Sequence, residues 1–150
     1  MKETGGHIVK MRDVKFDPSL FQNYRTGTVL DKLLCSYCGL PKGVNYMIIG
    51  DPGVGKTTII MDMLSDIRML STTARVLFIS AEMNEIDLAV YVQRFPKFQD
   101  LEILFIKADF SSESGGAHCL KLLTDIFRSG WDVVAIDSFY ELQGIIKEEE

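Results

Sequence analysis

Gly50-Asp51-Pro52-Gly53-Val54-Gly55-Lys56-Thr57 fits the pattern G-x-x-x-x-G-K-[ST] at every fixed position. What surrounds it fits too. Val44-Asn45-Tyr46-Met47-Ile48-Ile49 reads as a buried strand running into the first glycine. Thr58-Ile59-Ile60-Met61-Asp62-Met63-Leu64 reads as a helix running out of the last threonine. A strand, a glycine-rich turn and a helix N-terminus in that order build an anion site. The glycines let backbone N–H groups curl round a phosphate without Cβ clashes, and the helix start adds partial positive charge. In such a loop Lys56 reaches the β- and γ-phosphates of a nucleotide, and the Thr57 hydroxyl ligates Mg²⁺. Gly50, Asp51, Pro52, Gly53, Val54, Gly55, Lys56, Thr57 and Thr58 are therefore the candidate nucleotide-binding set. A chance match in a glycine-rich turn would lack the flanking strand and helix.

The bulk properties suit one ordinary globular domain. A chain of 150 residues buries about 68–70% of its unfolded surface. Its apolar fraction of 47% and charged fraction of 25% are typical of such domains. No apolar run approaches the roughly 18–20 residues that span a bilayer. Met1-Lys2-Glu3-Thr4-Gly5-Gly6 lacks the apolar core of a signal peptide, so the expected compartment is the cytoplasm and no membrane partner is expected. The net charge of −5 gives no electrostatic footprint for nucleic acid on this stretch.

Three cysteines, an odd number, argue against a disulfide framework. Cys35-Ser36-Tyr37-Cys38 is a C-x-x-C pair. Zinc would need a second ligand pair, and only the adjacent His118 and Cys119, far downstream, remain. A redox pair of the thioredoxin kind belongs in a βαβ setting that the phosphate loop displaces. The plain expectation is two small apolar-like cysteines in a turn.

Along the chain, residues 1–15 are polar and mixed in charge and read as an N-terminal arm. A glycine turn at Tyr24-Arg25-Thr26-Gly27 precedes a short helix over about 28–35, and Gly39-Leu40-Pro41-Lys42-Gly43 is a turn. The helix after Lys56 runs to about Leu70, with Ile59, Met63, Ile67 and Leu70 expected inward. Arg75-Val76-Leu77-Phe78-Ile79-Ser80 has the continuous apolar character of a parallel strand buried on both faces. Asn84, with Asp87 three residues on, caps a helix that carries Leu88, Ala89, Val92 and Phe95 and stops before Pro96. A third strand at Leu101-Glu102-Ile103-Leu104-Phe105-Ile106 is followed by a polar loop over 111–116. Leu120, Leu123, Ile126 and Phe127 mark the inward face of the next helix, which ends at Gly130. Trp131-Asp132-Val133-Val134-Ala135-Ile136 is the fourth strand. Strands alternating with helices of this length predict an α/β fold, a parallel sheet with flanking helices and right-handed crossovers. Ligand chemistry belongs at the carboxyl ends of its strands.

Two further strand ends carry carboxylates. The fourth strand ends in Asp137-Ser138, the form of a Walker B element whose Asp faces the Mg²⁺ shell opposite the loop Thr. An Asp there can also simply cap the next turn. Glu82, in Ser80-Ala81-Glu82-Met83, is placed to orient or deprotonate an attacking water. On its own a glutamate there is more often a solvated turn residue.

From about Phe16 to Leu142 the order of elements resembles the RecA-like P-loop ATPases, the group of recombinases, RadA-type repair proteins, KaiC-type ATPases and DnaB-type helicases. The signs are Arg25-Thr26-Gly27, Leu30-Asp31-Lys32-Leu33-Leu34, Gly39-Leu40-Pro41-Lys42-Gly43, the phosphate loop and Ala135-Ile136-Asp137-Ser138. Ser80-Ala81-Glu82-Met83 is similar to the segment that carries the catalytic glutamate in DnaB-type helicases, whereas Asp137-Ser138 is closer to the recombinase branch. The resemblance implies a RecA-like P-loop NTPase core over 16–150, running through Walker B. It implies ATP and Mg²⁺ as cofactors, Lys56 and Glu82 as catalytic residues, and Thr57 and Asp137 on the metal. It also implies assembly into a ring or filament of like subunits and, for a longer protein, DNA as the substrate of the motor in repair, recombination or replication. A KaiC-like regulatory or assembly ATPase without nucleic acid is the alternative. The family has glycines where Leu34-Cys35-Ser36-Tyr37-Cys38 stands, which alters the turn and leaves the catalytic positions untouched.

The same resemblance places a polar sensor, DNA-binding loops and an arginine finger after Ser138, so a longer polypeptide is expected. In the RecA-like order a further strand separates the Asp137 strand from residues 44–49. Residues 141–150 leave no room for a crossover to supply it. The isolated chain is then expected to be partly molten or aggregation-prone, with background ATPase activity. A kinase-like order would instead pair the two strands directly.

Overall fold

The computed structural model describes residues 8–15, 17–106 and 115–147. The run predicted to be buried on both faces is the centre of the molecule. Every residue of Val76–Ser80 is buried. We number the regular elements in chain order: β1 (Asn23–Tyr24), α1 (Leu30–Leu34), β2 (Leu40–Pro41), α2 (Lys56–Leu70), β3 (Val76–Ser80), α3 (Glu85–Arg94), β4 (Glu102–Phe105), α4 (Gly115–Arg128), β5 (Val133–Asp137) and α5 (Phe139–Lys147). β3 pairs in parallel with β4 on one side and with β5 on the other, giving the order β4-β3-β5. Ser80 stands opposite Asp137, so these two strands end level.

Alternation along β3 sends Val76 and Phe78 to one face and Leu77 and Ile79 to the other. The first pair packs with Met61, Leu64 and Ile67 of α2, Leu88 of α3 and Phe98. The second packs with Cys119 and Leu123 of α4 and Leu142 of α5. The result is the expected mixed α/β arrangement, a parallel sheet between helices. No helix of the described residues is long and apolar enough to cross a membrane.

Residues 44–49 correct the reading above. They form no strand, and their apolar side chains are exposed, Ile49 at 84% and Met47 at 71%. An apolar run becomes a strand only by pairing its N–H and C=O groups with another edge. No backbone pair joins 44–49 to β5 or to any other described strand, so a kinase-like direct pairing is absent among the described residues. Tyr46 instead donates its hydroxyl to the carbonyl of Leu34 at 2.5 Å.

The helix faces are also turned from those expected. α2 buries Met61, Met63, Leu64 and Ile67, while Ile59 and Leu70 are exposed. In α4 Cys119 and Leu123 are buried, and Leu120 and Phe127 lie outside. Ala89 of α3 is exposed. The polar faces follow suit, with Asp62 and Asp66 of α2 both holding Lys97. Of the polar loop over 111–116, residues 111–114 lie outside the described residues, and Gly115 and Gly116 open α4. The described part of the N-terminal arm has a 3-10 turn at Met11–Asp13 with no buried residue.

Before the phosphate loop, β1 and β2 pair antiparallel around α1. Asp31 of α1, only 8% exposed, gathers the Arg25-Thr26-Gly27 turn. It accepts from Thr26 N at 2.8 Å, Thr26 Oγ1 at 2.9 Å and Gly27 N at 3.0 Å. Burial pushes this carboxyl up, but the bonds from Thr26 and Gly27 outweigh it and hold it below its ordinary 3.8. Asp31→Ala leaves buried donors unmatched and is expected to cost about 1–3 kcal/mol in chemical denaturation. Because the folded value is depressed, the carboxylate's contribution is present above the unfolded value and lost as pH falls through the folded one. The difference between wild type and variant should therefore shrink in acid.

At the amino-terminal ends of β3 and β5, Tyr24 donates to Asp132 at 2.5 Å, and Asp132 also accepts from Arg75 N at 2.9 Å. Burial first, then the Asp132 carboxylate, pushes the Tyr24 phenol up to about 12. The bonds from Tyr24 and Arg75 hold Asp132 below its usual range. This latch fixes the β1–β2 hairpin under β3 and β5.

Candidate nucleotide-binding site

The loop between residues 49 and 56 turns on two left-handed glycines, Gly53 at φ 79° and Gly55 at φ 91°. A Cβ on either would meet nothing within 4 Å, so glycine is required there by the backbone angle, not by space. Gly55 is the N-cap of α2, and it offers no side-chain cap. The first intrahelical bond in this turn runs from Ile59 N to Gly55 O. The N–H groups of the opening turn precede that bond, and an anion would suit them.

Lys56 folds back over the loop. Its Nζ donates to the carbonyls of Gly50 and Asp51, each at 2.8 Å. A phosphate entering the loop would exchange these neutral acceptors for charged oxygens, which make the stronger bond. Gly50 and Asp51 do not line the cleft described below; their carbonyls hold the Lys56 ammonium.

Asp137 closes β5 at 7% exposure, and its Oδ2 accepts from Thr57 Oγ1 at 2.5 Å. The two residues are 80 apart in sequence. β3 delivers the third group. Buried Ser80 donates its hydroxyl to Met83 O at 2.8 Å and accepts from Met83 N at 3.2 Å, forming a tight turn around Ala81 and Glu82. Ala81 N bonds to Asp137 O at 2.8 Å, which locks that turn to the end of β5. Asn84 then caps α3 with the expected reciprocal box to Asp87.

A cleft of about 800 Å³ opens over these groups. Its walls include Pro52, Gly53, Val54, Gly55, Lys56, Thr57 and Thr58 from the loop, with Glu82, Asp137 and Ser138 from the strand ends. Val90, Tyr91 and Arg94 of α3 and Phe95 just past its end line it as well, and sequence reasoning did not place them at the site. Their spacing was the available signal, since i, i+1, i+4 and i+5 share one helix face.

Among the described residues no cluster of three or more His, Cys, Asp or Glu could hold a metal. Mg²⁺ does not need one, since it usually takes one or two protein oxygens and fills its octahedron with water and phosphate. Thr57 Oγ1 and Asp137 Oδ2 fit that role. Neighbouring ligands at about 2.0–2.1 Å from Mg²⁺ stand about 2.9 Å apart, so the pair need open by only a few tenths of an ångström. Compared with known proteins, the chain matches no family model, no curated protein and no solved structure.

Proposed function

We propose that the chain is a Mg²⁺-dependent ATP-binding and hydrolysing domain of the RecA-like kind. One observation carries the phosphate and metal site of this reading: Thr57 Oγ1 at the start of the phosphate-loop helix lies 2.5 Å from Asp137 Oδ2 at the end of β5, while the RecA-like kind rests on the resemblance. With no strand formed at 44–49, the helix at Lys56 and this meeting with an acidic strand end 80 residues away are what speak against a chance glycine turn. In this reading the opening N–H groups of α2 and the Lys56 ammonium hold the β- and γ-phosphates. Thr57 and Asp137 would hold Mg²⁺, which would supply positive charge against the phosphate oxygens. Glu82 takes a proton from, or orients, the attacking water at the γ end. Water then replaces ADP on the γ-phosphorus, and inorganic phosphate leaves.

The assignment to ATP rather than another nucleotide, the coupling to DNA and assembly with like subunits rest on the resemblance alone. Stimulation of hydrolysis by single-stranded DNA separates a DNA motor from a regulatory ATPase.

Asp137→Asn tests the metal role. The amide keeps the bond to Thr57 but binds Mg²⁺ poorly. Affinity for Mg²⁺ measured by titration in the presence of ATP should fall by about tenfold or more, the scale of roughly 1.4 kcal/mol per decade. Raising Mg²⁺ should recover part of the nucleotide affinity. A defect indifferent to Mg²⁺ would leave Asp137 with a purely structural part. Thr57→Ala should show a milder version of the same dependence.

A further inference from the structure

Cys35 and Cys38 lie outside both hydrophobic clusters, although each is half-buried. The structure places them in a turn, as expected, but packs neither into the core. Their turn is instead pinned from several sides. Cys38 N donates to Cys35 O at 2.9 Å, closing the four residues into a hydrogen-bonded turn. Asn23 Nδ2 donates to Cys38 O at 3.0 Å, and Gly39 N donates to Asp31 O at 2.8 Å. Gly39 sits at φ 94°, and a Cβ there would come within 2.5 Å of Tyr24 O, so the turn rests directly on β1.

Cys38 has φ 63° and is the single described non-glycine residue in the left-handed region. Asparagine or glycine adopts that angle at less cost. Cys38 thus stands at one end of a hydrogen-bonded turn whose other end carries Cys35, with neither thiol taken up by the core. The ends of a four-residue turn are under about 7 Å apart at Cα, and a disulfide spans about 4.4–6.8 Å. A metal alternative lacks ligands, since no third His, Cys, Asp or Glu joins the pair among the described residues.

We propose that Cys35 and Cys38 are a reversible dithiol–disulfide pair, a modification site distinct from the nucleotide cleft. The co-reactant is a low-molecular-weight disulfide of the glutathione class. The thiolate of one cysteine attacks a sulfur of that disulfide, forms a mixed disulfide and expels one glutathione thiolate. The second cysteine, as thiolate, attacks the protein-side sulfur, closes the Cys35–Cys38 bond and expels the other. Two electrons pass from the protein to the small disulfide, and two protons leave the cysteines and end on two glutathione thiols. Cys119 is fully buried in the second cluster, with its thiol pushed up by burial, and serves as the internal unreactive control.

The test is equilibration of the whole folded chain in glutathione buffers of graded oxidising strength, then acid quench, alkylation and intact-mass and peptide analysis. The expected result is loss of two hydrogens, with Cys35 and Cys38 protected together and Cys119 alkylated only after unfolding. Cys35→Ser and Cys38→Ser should each trap one glutathione on the remaining cysteine. Two independently glutathionylated cysteines in wild type would overturn the proposal. So would thiols that stay reduced in excess oxidised glutathione, or thiols that react only after zinc is removed by a chelator.

Discussion

Lys56→Ala is expected to lower ATP affinity by at least about 100-fold. The ammonium makes charge-assisted bonds to phosphate oxygens, and such bonds are worth about 1.5–3 kcal/mol each, so losing two approaches 3–4 kcal/mol or more. The effect is local. Lys56 is half-buried, and among the described residues its Nζ bonds to the loop carbonyls of Gly50 and Asp51, so the sheet does not depend on it. Titration of a fluorescent ATP analogue reads the loss, and far-ultraviolet circular dichroism should match wild type. Unchanged affinity in a folded variant would remove the phosphate loop from the account.

Glu82→Gln should separate binding from chemistry. The amide has nearly the same shape and still donates and accepts hydrogen bonds, but it cannot accept the proton of an attacking water. ATP affinity should stay within about twofold of wild type, while hydrolysis in the active assembly falls about 10²–10⁴-fold, the range for losing a general base. The carboxylate is exposed two residues past β3, in a turn fixed by Ser80 and Met83. Its position therefore survives the change. Single-turnover hydrolysis, not steady-state rate alone, is the proper readout, because product release can mask the chemical step. A wild-type single-turnover rate would return Glu82 to the role of a solvated turn residue.

What was legible in the sequence is what local backbone physics dictates. Gly53 and Gly55 are needed for their positive φ, Asn84 and Asp87 for their reciprocal cap, and Gly130, at φ 81°, for the end of α4. Each of these fixes its neighbours within a few residues, so its letters can be read alone. The continuous apolar run of β3 was legible for a similar reason, since only a doubly covered strand buries five successive side chains. Residues 44–49 have the same apolar look, but strand formation depends on a partner edge that no local pattern encodes. The inward faces of α2 and α4 were misjudged by part of a turn. Where a helix meets the sheet depends on how its ends are anchored, at Gly55 for α2, and that rotation moves Met61 and Leu64 inward and Ile59 out. Tyr91 and Arg94 escaped notice because α3 approaches the loop only through the turn at Ala81–Asn84. Their role is a property of packing between elements.

The central claim is that the uncapped turn at the start of α2, with Thr57 and Asp137 beside it, is a site for Mg²⁺ and a nucleoside triphosphate. Hydrogen exchange of the chain with and without MgATP tests it most directly, because it reports folding and binding in one experiment. The account predicts that β3 amides at 77–79 are protected in both states, and that MgATP slows exchange over 53–58 and around 137. Protection of β3 with no change at 53–58 at saturating MgATP would contradict it.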